Sequence, residues 1–369
     1  MGLIRLLLTS MARVSVFRSY QFVFLIVAAL AVVAFYYFGT ERQNFSTTTR
    51  RMKQTQAGYG TGSDVITPDR AAMINFHVLM MFTKADGNSG LQRKMRIALS
   101  SLLQHASFQD EEQLHLHFVS EDASKEIGHQ VLAELLLNAT FNYEVRFHSV
   151  IRLTERLFPI VKAMQKHFSA GSGTYYSDAI FFLSVAMHRI MPADIKRIVQ
   201  LDLDLKHRVN IRELFEEFQN FPSGAVIGIA HEMQPVYRHT FWQYRRENPN
   251  SKVGDPPPDG QPGFNSGVML LDLEAMRHSE LYNSLLEPKL LSHLADKYHF
   301  HGHLGDQDFF TMVGMEYPSL FHVLDCSWNR QLCTWWRDHG YADVFHLYFN
   351  CEKSVKIYHG NCNTAIPED

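Results

Sequence analysis

Two aspartates separated by one residue, Asp202 and Asp204, have a spacing that suits metal chemistry. They end the apolar run I-V-Q-L at residues 198–201, which is typical of a buried strand in a parallel sheet. Because side chains alternate along a strand, residues two apart share a face. We therefore expect both carboxylates to converge on one divalent cation at the edge of the sheet where open α/β folds bind ligands. From these residues alone, a solvated acidic strand end explains the pair as well.

The segments that must position these aspartates alternate between strand and helix patterns. Strands are predicted at residues 74–82, 114–119, 143–150, 197–205, 225–230 and 263–273. Helices are predicted at 91–105, 123–137, 153–168, 178–190, 211–219 (with Asn210 as its cap), 277–286 and 288–298. This alternation is the signature of a doubly wound sheet that binds a nucleotide at its carboxyl edge. The segment 231–262, rich in Pro and Gly, is predicted to be a long loop that is either functional or mobile.

The first 72 residues differ in composition from the rest. Residues 20–38 carry no charge, and a helix of that length rises about 28 Å, close to the hydrocarbon thickness of a bilayer. Their bulky aromatic residues and the lack of a small-residue cleavage pattern favour an anchor over a cleaved signal peptide. The sequence predicts a cytoplasmic tail at 1–19, a transmembrane helix at 20–38, a flexible lumenal stem at 39–72 and a catalytic domain at 73–369.

Composition narrows the class of protein without naming a function. Hydrophobic residues make up 46% of the 369 residues, which is enough for a sizeable core. The net charge of −3 gives no general attraction for nucleic acid or anionic lipid. Glycosylation sequons at Asn44 and Asn138 fit a lumenal C-terminal part, as do four downstream cysteines.

The histidines at 299–303 and the four cysteines belong to residue types that bind zinc, so each group is considered as a zinc site. His299, His301 and His303 alternate and could share one strand face, but no Cys or Glu stands nearby, so a polar wall on the acceptor side is favoured. The cysteines lack C-x-x-C spacing, which favours two disulfides with three possible connectivities over a zinc ribbon. They are Cys326, Cys333, Cys351 and Cys362.

Five motifs in a fixed order are specific when taken together. They are a strand ending in F-T-K-A, Y-Y-S-D before a helix, L-D-L-D, F-N-S-G-V and D-Q-D, followed by a late H-G-N. On these motifs the chain resembles glycosyltransferase family 8, retaining nucleotide-sugar transferases, over residues 74–363. The resemblance implies a single α/β domain of GT-A type with a doubly wound mixed sheet. It also favours the disulfides Cys326–Cys351 and Cys333–Cys362.

The resemblance assigns a cation and its ligands. Asp202, Asp204 and the late His359 would hold Mn²⁺, with Mg²⁺ as the alternative, and the cation would act as a Lewis acid on the leaving diphosphate. Donor contacts are implied for residues at four motifs. These are Phe82, Thr83, Lys84, Leu203, Asn265, Ser266, Gly267, Gly360 and Asn361. In the N-S-G motif, the glycine is expected to let the backbone approach the sugar closely.

The resemblance also places Gln307 beside the anomeric carbon of the donor sugar. A carboxamide is a poor nucleophile, so we favour a same-face displacement in which the carbonyl dipole of Gln307 stabilises the positive centre. Asp306 or Asp308 as a covalent nucleophile is the alternative. The acceptor is expected to contact aromatic and apolar residues, namely Trp242, Trp335, Trp336 and Leu304.

The chain departs from the family pattern at two places. Ser177-Asp178 stands where many members have Arg or Lys, and the C-terminal motif lacks the lysine that usually neutralises the diphosphate. Lys356 is a candidate substitute.

A closer resemblance, carried by residues 175–192, the double tryptophan and the C-terminal cysteines, is to animal members of the family. These move xylose from UDP-xylose to xylosyl-glucose O-linked to EGF-like repeats, Notch among them. The resemblance implies an α-1,3-xylosyltransferase in the endoplasmic reticulum membrane, single-pass type II, with the Golgi as the alternative. Two alternatives stay open, a family 8 transferase using UDP-glucose or UDP-galactose and an inactive lumenal glycan-binding protein. The oligomeric state is open, with a homodimer possible.

Overall fold

The computed structural model describes residues 73–169 and 179–368. The chain divides into two units, 1–69 and 70–369, and every described residue belongs to the second. The strands are β1 Ile74–Met81, β2 Glu112–Ser120, β3 Asn142–Ser149, β4 Arg197–Leu201, β5 Leu205–His207, β6 Ile227–His231, β7 Phe264–Asp272, β8 Phe321–Leu324, β9 Arg330–Gln331 and β10 Ile357–His359. The helices are α1 Ser89–His105, α2 Asp122–Leu135, α3 Val150–Arg156, α4 Phe158–Phe168, α5 Met187–Ile190, α6 Ile211–Glu216, α7 Val236–Thr240, α8 Trp242–Glu247, α9 Leu273–His278, α10 Glu280–Ser284, α11 Pro288–Tyr298, α12 Asp306–Glu316 and α13 Ala342–Phe349.

Seven strands form one mixed sheet in the order β3-β2-β1-β4-β7-β6-β8. Strands β3, β2, β1 and β4 are parallel, and β7 runs antiparallel to both β4 and β6. The parallel part places the carboxyl ends of β1 and β4 at one edge, so the chain after Met81 and after Leu201 emerges side by side. The mixed α/β sheet that the family resemblance implied is confirmed.

Side chains of the central strands alternate between two core clusters, one on each face of the sheet. On β4, Ile198 packs into one cluster, whereas Val199 and Leu201 pack into the other. Burying one such aliphatic side chain stabilises the fold by about 1.5–3 kcal/mol. The sheet is therefore covered on both faces, and its carboxyl edge is held rigidly beneath the segments that follow β1 and β4.

A small second sheet brings the C-terminal segment to this edge. Its order is β5-β10-β9, and β10 pairs antiparallel with β5. The disulfides Cys326–Cys351 and Cys333–Cys362 flank the segment, and their pairing is the one that the resemblance implied. Residues far apart in sequence, 202–207 and 357–362, thus share one small structural unit.

Several local predictions differ from the structure. The strand predicted at 197–205 is divided into β4 and β5, and the helix predicted at 277–286 falls on the end of α9 and on α10, which are separated at Ser279. The helix predicted at 153–168 is two helices, α3 and α4, broken at Leu157, because Pro159 lacks the N–H that a continuous helix needs. The helix predicted at 178–190 consists of 3₁₀ turns at Ile180–Phe182 and Ser184–Ala186 followed by α5, and residue 178 lies outside the described residues. The long loop predicted at 231–262 contains α7 and α8. Asn210 caps α6 as predicted, since its side chain accepts a hydrogen bond from the backbone N–H of Arg212.

The predicted tail, transmembrane helix and stem at 1–72 lie outside the described residues, as does the sequon at Asn44. Within the described part of the chain, every helix is too short or too polar to cross a bilayer. The second sequon residue, Asn138, is exposed in a turn after α2.

Candidate active site

Asp202, Asp204 and His359 meet at the carboxyl edge of the sheet. Nε2 of His359 lies 3.3 Å from Oδ1 of Asp204 and 3.7 Å from Oδ2 of Asp202. One ligand atom from each residue lies within 4.8 Å of the other two. Among the described residues, no other group of three His, Cys, Asp or Glu side chains is arranged in this way. The structure thus brings together the three residues predicted to bind a cation.

Main-chain hydrogen bonds hold the three segments that carry these residues. His359 lies opposite Leu205 in the pairing of β10 with β5, and the N–H of Gly360 donates to the carbonyl of Asp204 at 2.8 Å. The N–H of Asp202 donates to the carbonyl of Gly267 at 2.9 Å. The positions of both aspartates are therefore fixed by the backbone and do not depend on their side chains.

Gly267 leaves room for the ring of His359. A Cβ atom at Gly267 would lie 2.4 Å from Cε1 of His359 and 2.6 Å from Nδ1, distances that real Cβ contacts do not show. The sequence analysis expected this glycine to admit a sugar close to the backbone. The structure gives it a different role, since the imidazole itself occupies the space beside it.

The donor set fits a divalent cation such as Mn²⁺. Nδ1 of His359 lies 2.9 Å from Oδ1 of Asn329, and the tautomer that donates this hydrogen bond leaves the Nε2 lone pair facing the aspartates. Burial would raise the pKa of Asp204, but His359 and Lys94 outweigh it and hold that pKa at about 2, so the carboxylate is ionised. The aspartates outweigh burial and raise the pKa of His359, so its Nε2 must lose a proton before it can bind a cation. Two carboxylates and one neutral imidazole are then a ligand set that Mn²⁺ accepts.

A lysine that the sequence analysis missed lies beside Asp204. Nζ of Lys94, on α1, is 3.3 Å from Oδ2 of Asp204 and 2.8 Å from Oδ1 of Asn363. Lys356, the substitute considered for the missing family lysine, instead stacks on Trp328 at 4.1 Å from the ring centroid. No sequence pattern distinguishes Lys94 from the other cations of α1, because its role depends on the C-terminal segment packing nearby.

A first cavity of about 860 Å³ opens at the carboxyl ends of β1 and β4. Thr83 and Lys84, which follow β1, line it together with Asp202, Ser266 and Gln307. Its volume suits a cofactor-sized ligand, and its position is that at which doubly wound sheets bind nucleotides. The predicted donor contacts at Thr83, Lys84 and Ser266 therefore surround one cavity.

A second cavity of about 620 Å³ adjoins the first. Trp335 and Trp336 line it, and Asp202, Leu304 and Gln307 line both cavities. The two cavities therefore meet at these three residues, immediately beside the candidate cation site.

Gln307 lies where the cavities meet, in the first turn of α12. The D-Q-D motif therefore forms the N-terminus of a helix. Oε1 of Gln307 accepts from the backbone N–H of Ser266 at 3.2 Å, and Nε2 donates to Oε2 of Glu232 at 3.3 Å. These two contacts orient the carboxamide, with its oxygen toward Ser266 and its NH₂ group toward Glu232.

Asp306 lines the first cavity, but both of its oxygens are occupied. They accept hydrogen bonds from the hydroxyls of Ser184 and Ser266. Burial raises the pKa of Asp306 to about 7. A carboxyl group held in this way is poorly placed to act as a nucleophile.

Asp308 is not among the described residues that line either cavity. It accepts from the hydroxyl of Tyr237 at 2.9 Å and from the backbone N–H of Leu304 at 2.6 Å. Its carboxylate joins α12 to α7 and to the segment before α12, which is a structural position and not that of the nucleophile considered above.

Glu232, which the sequence analysis missed, is only 3% exposed and lines the second cavity. Its Oε1 has no hydrogen-bond partner among the described residues, and the same holds for Oε1 of the neighbouring Gln234. Burial raises the pKa of Glu232 to about 7, although the amide of Asn265 lowers it. Unpaired buried acceptors are rare and suit a ligand rich in hydroxyl groups. The signal that reveals Glu232 is its position directly after β6, equivalent to that of Asp202 after β4.

Several predicted contacts lie elsewhere. Phe82 and Leu203 pack in the core and are not among the described residues that line either cavity. Trp242 is 54% exposed, stacks near Arg246 and is likewise absent from the described cavity walls. The alternation of apolar and polar residues along a strand cannot distinguish an apolar residue that packs in the core from one that contacts a ligand, when both lie beside a motif.

The residues after His359 support the site in a different way from that predicted. Oδ1 of Asn361 accepts from the backbone N–H groups of Leu332 and Cys333, so its side chain holds the segment that follows β9, and Asn361 also lines the second cavity. A Cβ at Gly360 would lie 2.7 Å from the carbonyl oxygen of Thr364, which explains the glycine by close packing of the chain end.

The three alternating histidines do not form a strand or a metal site. His299 adopts a left-handed conformation at the end of α11 and contacts Glu247 at 2.8 Å. His303 lines the second cavity, as a polar wall on that side would. Ser177-Asp178 lies outside the described residues.

A sequence model of the family described as "Glycosyl transferase family 8" matches residues 88–359. Xyloside xylosyltransferase 1 of Mus musculus is 62% identical over 380 residues, covering 98% of this chain and 97% of the relative. The Homo sapiens protein of the same name is 62% identical over 381 residues, with the same shares covered. The crystal structure of mouse Xyloside xylosyltransferase 1 in its apo form has a TM-score of 0.77 and 71% identity, covering 80% of this chain and 100% of that chain.

Proposed function

This chain belongs to glycosyltransferase family 8, and we propose that it transfers xylose from UDP-xylose to a xylosyl-glucose acceptor with retention of the anomeric configuration. The observation that carries the proposal is the meeting of two cavities at Gln307 and Asp202, beside the aspartate–histidine group. The donor occupies the first cavity and the acceptor the second. The high identity to relatives named Xyloside xylosyltransferase 1 supports xylose as the transferred sugar.

Asp202, Asp204 and His359 hold the divalent cation in this proposal, and Mn²⁺ is the cation that their donor set suits best. When bound, the cation supplies Lewis-acid stabilisation of the diphosphate leaving group. Lys94 adds a positive charge beside Asp204, where the family lysine is missing.

The acceptor hydroxyl attacks the anomeric carbon on the face from which UDP departs, and its proton passes to an oxygen of the leaving diphosphate. Gln307 stabilises the positive charge that develops at the anomeric carbon through its carbonyl dipole. Asp306 does not act as a nucleophile, because Ser184 and Ser266 occupy both of its oxygens. The transfer therefore proceeds in one displacement on one face of the sugar.

The unpaired acceptor oxygens of Glu232 and Gln234 bind hydroxyls of the acceptor glycan, and Trp335 and Trp336 give its rings a flat apolar surface. The acceptor is xylosyl-glucose on EGF-like repeats, which the closer sequence resemblance favours. The chain acts in the lumen of the endoplasmic reticulum, held by a transmembrane helix at 20–38, with the Golgi as the alternative.

The test uses the full chain, purified in detergent with Mn²⁺, and reads the mass of a xylosyl-glucose EGF-repeat peptide. UDP-xylose, UDP-glucose and UDP-galactose are supplied in parallel. We expect a gain of one pentose that EDTA and Asp204→Asn both abolish. A hexose gain would replace the donor assignment, and absence of metal-dependent UDP binding would overturn the enzymatic proposal in favour of a glycan-binding protein.

A further inference from the structure

A row of buried hydrogen bonds joins Gln307 at the reaction centre to His359 at the cation site. Nε2 of Gln307 and Nδ2 of Asn265 both donate to Oε2 of Glu232, at 3.3 Å and 3.0 Å. Nδ2 of Asn329 donates to Oδ1 of Asn265 at 2.9 Å, and Oδ1 of Asn329 lies 2.9 Å from Nδ1 of His359. None of these five residues is more than 9% exposed. The polar groups that face one another along the row therefore depend on each other for a partner.

The direction of every bond in this row follows from Glu232. Oε2 of Glu232 accepts from both amides, whether the carboxyl group is ionised or carries a proton on its unpartnered Oε1, so the NH₂ groups of Gln307 and Asn265 must face it. The oxygen of Asn265 then faces Asn329, which must present its own NH₂ group there and its oxygen to His359. An acceptor opposite Nδ1 selects the Nδ1–H tautomer, and Nε2 keeps the lone pair that a cation needs.

We propose that Glu232 is a positioning residue that orients both the amide of Gln307 and, through Asn265 and Asn329, the imidazole of His359. This inference rests on the proposed function for the identity of the reaction in which the two oriented groups take part. It adds the residue that follows β6 to a site otherwise built from segments at β4, β7, β10 and α12.

Two backbone donors agree with the orientation that Glu232 imposes. The N–H of Gly267 donates to Oδ1 of Asn265 at 3.1 Å, and the N–H of Ser266 donates to Oε1 of Gln307 at 3.2 Å. A backbone N–H group cannot accept a hydrogen bond, so neither of these two groups can replace Glu232 as the partner of the NH₂ groups. Removing the carboxylate therefore leaves two buried NH₂ groups unpaired, and a partly satisfied buried network rearranges.

The test compares Glu232→Leu with Glu232→Gln in the full chain and measures the Kd for Mn²⁺ alone, without donor or acceptor. Glu232→Leu removes the acceptor, and we expect Mn²⁺ binding to weaken by about 10-fold or more, as for other residues that orient metal ligands. Glu232→Gln can turn its carbonyl oxygen toward both NH₂ groups, and we expect Mn²⁺ affinity to stay within about 3-fold of the parent.

Glu112→Leu is the matched control, because Glu112 is 2% exposed and hydrogen-bonded to Arg212 at the start of β2, away from the site. It should lower thermal stability without weakening Mn²⁺ binding. If Glu232→Leu does not fold, Asn329→Leu is the substitute, because it breaks the same row one step nearer His359. In the same assay it should weaken Mn²⁺ binding. Unchanged Mn²⁺ affinity in folded Glu232→Leu would overturn the proposal. An equal loss in Glu232→Gln would overturn it too, since charge and not bond direction would then be decisive.

A second readout reports the tautomer directly. With ¹⁵N-labelled histidine and His359→Gln to assign the signal, spectra are recorded above the pKa of His359, which is raised because the two aspartates outweigh the effect of burial. The neutral ring of the metal-free parent should then carry its hydrogen on Nδ1, and Glu232→Leu should give a mixture. A single Nδ1–H tautomer in both proteins would contradict the proposal. Both measurements use the metal-free enzyme or the metal alone, so failure of xylosyl transfer would leave them interpretable.

Discussion

At the residue scale, the candidate site depends on close packing around the imidazole of His359. Gly267 lies against the ring on one side, and Asn329 holds Nδ1 at 2.9 Å. The sequence indicates Asp202, Asp204 and His359 because each stands in a recognisable motif. It does not indicate Lys94, whose partners come from segments distant in sequence and are brought together only by the fold.

Gly267→Ala should abolish most metal binding while leaving the domain folded. The added methyl group would meet His359 at 2.4 Å, so the ring must leave its position beside the aspartates. We expect the Kd for Mn²⁺ to rise by about 10-fold or more, measured by calorimetry. Gly90→Ala is the control, since a Cβ there meets only Asn88 at an ordinary 3.6 Å. Parental Mn²⁺ affinity in Gly267→Ala would show that the ring is not held where the structure has it.

Gln307→Ala and Asp308→Asn should separate a catalytic from a structural role. Removing the carbonyl dipole of Gln307 should lower kcat by about 100-fold, a typical cost of losing one such stabilising group, with little change in KM for UDP-xylose. Asp308→Asn should lower Tm instead, because Asp308 accepts from Tyr237 and from a backbone N–H. Steady-state kinetics and thermal melts distinguish the two, and a larger kcat loss in Asp308→Asn would reverse these assignments.

At the element scale, the second sheet and its disulfides complete the site. Strand β10 carries His359 between β5 and β9, and Cys333–Cys362 closes just beyond it. Periodicity predicts the long strands of the main sheet and the longer helices that cover it well, because each strand buries side chains on both faces and each such helix is amphipathic. It does not predict β5, β9 and β10, which have two or three residues each and exist only through pairing with one another.

Removing Cys333–Cys362 by a double Cys→Ser change should cost stability and metal affinity together. The bridge closes a separation of 29 residues, which corresponds to about 3–4 kcal/mol in the chain-entropy model. Removing Cys326–Cys351, with a separation of 25, should cost similar stability but less Mn²⁺ affinity, because Cys351 lies farther along the chain from His359 than Cys362 does. Urea denaturation and Mn²⁺ titration of both variants test this, and equal losses of affinity would contradict it.

At the scale of the whole molecule, stability should depend on pH through a row of histidines across β1, β2 and β3. His117 is fully buried and lies 3.0 Å from a ring nitrogen of His77 and 2.9 Å from one of His148. Burial, followed by the charge of His148, lowers the pKa of His117 to about 2, and burial lowers that of His77 to about 4. The other titratable groups facing this row are His115, Glu144, Arg146 and Asp194.

In the unfolded protein the histidines of this row protonate near pH 6.5, whereas in the folded protein they stay neutral at that pH. The free energy of unfolding is therefore greatest above pH 6.5 and falls as the pH drops below it. For His117 the loss should approach about 1.4 kcal/mol per pH unit as the pH falls below 6.5. His117→Asn should show a shallower decline of unfolding free energy between pH 7 and 5, whereas His278→Gln, at an exposed helix end, should match the parent. Equal slopes in the parent and His117→Asn would contradict this account.

The most direct test of the central claim is the anomeric configuration of the product, followed by ¹H NMR while the chain, Mn²⁺, UDP-xylose and a xylosyl-glucose acceptor react. We predict a new α-linked xylose from the first time point, with Gln307→Ala giving the same linkage more slowly, because the transfer that we propose occurs on one face of the sugar, where the two cavities meet. A β-linked product would contradict the account, since it would require attack from the opposite face of the sugar.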